Sequence, residues 1–142
     1  MLFTRNLDTS NHIVLEPADD EVDEIEVAPI QSLVGDVSFA MGKMDVEGYE
    51  LPALHGATEM LKRQNPPVWL LEVNQCSEAY AYGALELAGF LREYGYFPVR
   101  YRAKKGCVLP AEPDWQQEQN VLFVSEAHAS DVQARLEEPD FE

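Results

Sequence analysis

The chain has 142 residues, 46% hydrophobic and 10% aromatic, enough for one domain that buries roughly 68–70% of its unfolded surface; a disordered middle is thereby excluded. Its 26 Asp and Glu against 10 Lys and Arg give a formal net charge of −16, a field that repels nucleic-acid phosphates and anionic membrane surfaces. No apolar run approaches the ~20 residues of a membrane span, no secretory leader is visible, and Cys76 and Cys107 lie far apart without C-x-x-C spacing, so a cytoplasmic protein with free thiols is expected.

In chain order, residues 1–24 read as an N-terminal extended, acidic segment, with a candidate strand at His12–Leu15 that stops at Pro17. The acid gathers between Glu16 and Glu26, without the spacing of a calcium loop, and again in the tail from Glu137 to Glu142. Glu24–Ala28 alternates polar and apolar residues like a half-exposed strand, and Ile30–Val34 suits a turn of helix. Ser38–Val46 is short and mostly apolar, a buried strand closed by an acid and Gly48. Leu51, Leu54, Ala57, Thr58 and Leu61 form one helical stripe, with Pro52 in the first turn and Asn65-Pro66-Pro67 as the stop. Val68–Val73 predicts a second buried strand, and a helix is predicted from Ser77 or Glu78 through Tyr94, with Gly95 as its cap. Tyr96–Tyr101 predicts a third strand, 104–119 a long polar loop, Asn120–Ser125 a fourth strand and Ser130–Leu136 a short helix. Strands alternating with helices predict a layered α/β domain with a mainly parallel sheet, and the helix-free last connection predicts an antiparallel final strand.

In such sheets ligands bind beyond the carboxyl ends of the strands. The first buried strand delivers Asp45, Glu47 and Gly48 there, and the second delivers Glu72 and Asn74. Neighbouring carboxylates can shift each other's pKa, accept a proton or hold a metal. A metal-dependent hydrolase built on Asp45, Glu47 and Glu72 is the weaker reading, because His12, His55 and His128 share no ligand spacing; no metal is expected. Trp115, in the polar loop, is a further candidate for touching a substrate.

Lys43-Met-Asp-Val-Glu-Gly-Tyr-Glu-Leu-Pro-Ala-Leu-His-Gly-Ala57 resembles the hallmark segment of FkbM-family methyltransferases, I-K-I-D-V-E-G-x-E-x-x-V-L-x-G-A, at that family's fourth strand and following helix. Pro66–Asn74 is similar to the fifth strand, and Gly95-Tyr96 and Asn120–Phe123 to the last elements. Gln31 replaces an aspartate that the family usually has in its "tLD" segment. The resemblance covers about residues 25–126, leaving 127–142 as an acidic tail.

The resemblance implies a partial class I, Rossmann-like methyltransferase sheet with strands 4-5-7-6, the last antiparallel, flanked by helices. It implies S-adenosylmethionine as cofactor and methyl transfer to a hydroxyl oxygen of a small molecule or glycan. Asp45 and Glu47 would then be catalytic, Asp45 and Gly48 would touch the cofactor, and Glu72 and Asn74 would touch the acceptor. The family's glycine-rich cofactor turn has no counterpart, since the eight glycines include no G-x-G pair, and Glu16-Pro17 is a chance likeness to the acid after strand 2. The chain is therefore expected to begin after strand 3, and its catalysis to be impaired; the alternative is a non-catalytic binding or assembly module. Strand 4 would present an unpaired edge to a second copy or a companion chain, unless the N-terminal acidic segment covers it.

Overall fold

The computed structural model describes residues 1–15, 21–113 and 120–137; the Glu16-Pro17 pair, Trp115 and the end of the acidic tail lie outside them. Two sheets are present among the described residues. β1 (Leu2–Thr4), β2 (Ile13–Val14) and β3 (Val22–Glu24) form a small antiparallel sheet in the order β2-β1-β3. β4 (Gly42–Met44), β5 (Val68–Glu72), β6 (Tyr96–Arg102), β7 (Cys107–Pro110) and β8 (Asn120–Ser125) form the main sheet, ordered β4-β5-β8-β6-β7. β4 and β5 are parallel, and β8 slots antiparallel between β5 and β6. This is the expected 4-5-7-6 arrangement with an additional hairpin strand.

That strand, β7, lies in the stretch predicted as loop. Lys104, Lys105 and Gly106 carry the turn, Gly106 in the left-handed region, and β7 gains its order by pairing along β6 from Arg102↔Cys107 to Val99↔Pro110. Pro110 is tolerated because β7 lies at the sheet's edge.

The two long helices of the sequence pattern are each broken. α2 (Glu50–His55) and α3 (Thr58–Lys62) part at Gly56-Ala57, where Gln31 intervenes. The Gln31 backbone N–H donates to the Gly56 carbonyl at 3.2 Å, and its side-chain oxygen accepts from Glu59 N at 3.0 Å. The departure from the family's aspartate therefore caps α3 and ties it to α1 (Ile30–Val34). The second helix starts as a 3₁₀ turn at Gln75–Tyr80, breaks at Ala81 (φ 62°) and resumes as α4 (Ala84–Glu93), with Glu86 accepting the Gly83 N–H at 3.1 Å. β4 is shorter than predicted because the approach to it bonds elsewhere: Asn65 accepts from Phe39 N at 2.9 Å and donates to the Val37 carbonyl at 2.7 Å.

One face of the main sheet makes the core. Trp69, Leu71, Val121, Phe123 and Tyr96 point to it and pack against Leu54 and Leu61 of α2 and α3 and Leu87 and Leu91 of α4. Residues of the opposite face, among them Val68, Leu70 and Leu122, stay partly exposed. α5 (Ala129–Glu137) stands over part of that face, beside an apolar cavity of about 680 Å³ bounded by Phe39, Met41, Val68, Leu122, Val132 and Leu136. β4 has no strand on its outer edge among the described residues. Among the described residues the N-terminal sheet adds no strand to that edge, since β3 pairs with β1 instead. Leu33, Val37 and Met41, on the way into β4, are exposed. No helix among the described residues is long and apolar enough to cross a membrane.

Candidate functional site

β4 and β5 run parallel with Met44 opposite Leu71. One residue further along each strand, Asp45 and Glu72 therefore leave the sheet side by side, on the face away from the helices. Glu47 follows in a turn held at positive φ, 52° at Glu47 and 91° at Gly48. The structure thus brings together three of the site residues expected from sequence: one carboxylate oxygen each from Asp45, Glu47 and Glu72 lie within 4.8 Å of one another. Three oxygens at this spacing can share protons, and a divalent cation would need such a set.

Gly48 has a packing reason for being glycine. A Cβ there would meet the Cys76 carbonyl carbon at 2.5 Å and Ser77 N at 2.6 Å, so the turn and the 3₁₀ helix can close together only without a side chain. Asn74 is partly committed locally: its side-chain oxygen caps the 3₁₀ helix by accepting from Cys76 N at 2.9 Å.

The carboxylates differ in proton affinity, which separates their chemistry. The Lys43 ammonium, 2.6 Å from Asp45 and hydrogen-bonded to it, holds the Asp45 carboxyl below its usual range, and a hydrogen bond from Glu72 adds to this. Glu72 moves the other way, to about 7, through burial first, then the hydrogen bond to Asp45, then the charges of Asp45, Glu47 and Glu50. Its Oε2 is buried and has no hydrogen-bond partner among the described residues. Asp45 therefore carries a negative charge at neutral pH, while Glu72 is poised to hold or release a proton there. The same negative field, after partial burial, pushes the Cys76 thiol up through Glu47, Glu72 and Glu50.

Two cavities of about 510 Å³ flank the turn. Asp45 and Val46 line the first, with Phe3, Ile13, Ile30 and Tyr49 as apolar walls. Glu47 lines the second, with Ser10, His12, Cys76 and Tyr80. The small N-terminal sheet lines the first cavity and its β1–β2 connection the second, and the Tyr80 hydroxyl fastens it there by donating to the Ile13 carbonyl at 2.6 Å. Sequence reading found one strand of this roof, within His12–Leu15, and missed the sheet, because strands of two or three residues leave almost no periodic signal. The apolar cavity beside α5 is larger, but none of the three carboxylates lines it.

Comparison with models of known families matches residues 4–98 to the methyltransferase FkbM domain. The match takes in β2, β3 and the last residue of β1 as well as β4, β5 and the helices between β4 and β6. No curated protein and no solved structure matches the chain.

Proposed function

Because the chain belongs to the FkbM methyltransferase family, we propose that it transfers a methyl group from S-adenosylmethionine to a hydroxyl oxygen of a small molecule or glycan at the Asp45–Glu47–Glu72 cluster. The observation that carries this reading is the convergence of the three carboxylates between two cavities, Asp45 facing one and Glu47 the other.

S-adenosylmethionine supplies an electrophilic methyl group on a cationic sulfur. Asp45, kept ionised by Lys43, faces that cation from the first cavity. Glu47 and Gly48 form the turn between cofactor and acceptor, and Glu47 presents a carboxylate to the acceptor cavity. Glu72 and Asn74 line neither cavity; beside Glu47, they would border an acceptor that extends past the turn. As the acceptor oxygen gains the methyl group it must lose its proton, and a carboxylate that titrates near 7 is well matched to receive it at neutral pH. Alignment of the acceptor oxygen against the methyl carbon supplies the remaining acceleration.

Isothermal calorimetry with the whole chain tests the reading. S-adenosylmethionine is expected to bind severalfold more tightly than S-adenosylhomocysteine, which lacks the positive charge, and the difference is expected to shrink as salt rises. No binding of either molecule would favour the second reading, a non-catalytic assembly module, to which the free β4 edge is suited.

Under both readings that edge receives a strand from a second copy or a companion chain. Light scattering on the purified chain is expected to show a dimer that Met41→Lys, at an exposed position beside the edge, dissociates. A monomer at high micromolar concentration would leave the companion chain as the edge's partner.

A further inference from the structure

We propose that Glu50 and Tyr82 are positioning residues: a buried clamp that sets the turn carrying Asp45 and Glu47, and thereby the spacing of the three carboxylates. The proposal takes the function of the cluster from the reading above, but the clamp itself can be tested without a methyl acceptor.

Glu50 is 2% exposed, one of the few charged side chains in the core, and no ion pair among the described residues involves it. A carboxylate in that position is costly unless hydrogen bonds replace its water. They do, and they come from the site turn. Oε1 accepts from Val46 N at 3.1 Å and Gly48 N at 3.4 Å. The Tyr82 hydroxyl shares its proton between the Gly48 carbonyl at 2.7 Å and Glu50 Oε2 at 3.1 Å, and accepts from Leu51 N at 3.2 Å. Burial holds the Tyr82 phenol far above its usual range, so it stays a donor at every working pH.

Four backbone groups of one short segment, residues 46–51, thus converge on two side chains that also bond each other. The segment needs the restraint. Glu47 sits at φ 52°, a left-handed conformation that costs a non-glycine residue about 1–3 kcal/mol and persists only where the surroundings over-determine it. The Gly48 N–H belongs to the peptide that follows Glu47 and the Val46 N–H to the peptide one residue before it, so the Glu50 carboxylate holds the chain on both sides of Glu47. Released from the clamp, Glu47 would relax to negative φ and its carboxylate would swing away from Asp45 and Glu72. Were Glu50 and Tyr82 core filler only, their loss would lower stability but leave the three carboxylates in register.

The test follows the titration of Glu72 by carboxyl-resolved NMR in the full chain, with chelator present. Tyr82→Phe changes no charge. The Glu72 midpoint, at about 7 in the native chain, is expected to fall by about 1 pH unit as Glu47 and Asp45 move off. Glu50→Gln is the conservative rescue. Its carbonyl oxygen still accepts from Val46 and Gly48, and its amide can donate to Tyr82 Oη, so the midpoint should fall only by the small share that the Glu50 charge supplies, less than in Tyr82→Phe. Glu50→Ala is expected to behave like Tyr82→Phe or to unfold. A folded Tyr82→Phe with an unchanged Glu72 midpoint overturns the clamp. So does a Glu50→Gln midpoint that falls as far as that of Tyr82→Phe, since hydrogen bonds kept by the glutamine would then not be what sets the spacing. A shifted Tyr82→Phe midpoint with rescue by Gln, in a chain that transfers no methyl group, would support the clamp and count against the functional reading alone.

Discussion

Asp45→Asn is expected to slow methyl transfer by about 10²–10³-fold, the usual loss when one preorganised charge is removed from beside the reacting centre. Asp45 is the one carboxylate of the cluster whose acidity is strengthened, by Lys43 at 2.6 Å, so it is the negative charge that a sulfonium would meet. The asparagine keeps the shape and removes that charge. Asp45 is exposed, and folding should change little. A second signature separates this from general damage. Asp45 contributes both a hydrogen bond and a charge to the upward displacement of Glu72. In the variant Glu72 should ionise closer to the ordinary 4.5, and the acid limb of the rate profile should move down with it. Initial rates with S-adenosylmethionine between pH 5 and 9 would measure both effects. A variant with native rate and native profile would remove Asp45 from the reaction.

What the sequence made legible follows periodicity and punctuation. Val68–Val73 and Asn120–Ser125 were readable as strands because they are unbroken apolar runs between turn residues, and the Asp45-Val46-Glu47-Gly48 turn because acid and glycine follow a strand. The proximity of Asp45 and Glu72 followed from two adjacent parallel strands ending level. Breaks in helices were not legible. The stripe from Leu51 to Leu61 continues through Gly56, and the bonds that divide it come from Gln31, some 25 residues earlier in the chain, together with the tightened turn at Gly56 N–Ala53 O and Ala57 N–Leu54 O. β7 was hidden because its residues are ordinary loop residues and its order comes from β6. An acid at a helix start is ordinary by the dipole alone; the burial of Glu50 against Tyr82, 32 positions away, is a tertiary fact with no local signal.

The second large effect concerns stability and pH. In the folded chain Glu72 titrates at about 7, against an ordinary 4.5. Below 4.5 folded and unfolded chains both hold the proton, and the fold has the full benefit of a neutral Glu72. Between 4.5 and 7 the folded chain still holds a proton that the unfolded chain has released, so each rise in pH favours unfolding. Above 7 the benefit is gone. Over the whole interval this is worth about 3 kcal/mol at full strength, and solvent around a half-buried group reduces it to about 2 kcal/mol. Asp45 acts with the opposite sign: its lowered pKa stabilises the fold above its ordinary 3.8, and that contribution fades only as the solution becomes more acidic. Denaturant unfolding should therefore show stability falling between pH 4.5 and pH 7. Glu72→Gln, which keeps the shape and cannot ionise, should flatten that interval and be the more stable protein at pH 8 by about the same 2 kcal/mol. If the native chain is equally stable at pH 5 and pH 8, Glu72 is not held neutral by its neighbours. The cluster would then be three independent surface carboxylates, too loosely coupled to time a proton's departure from an acceptor oxygen.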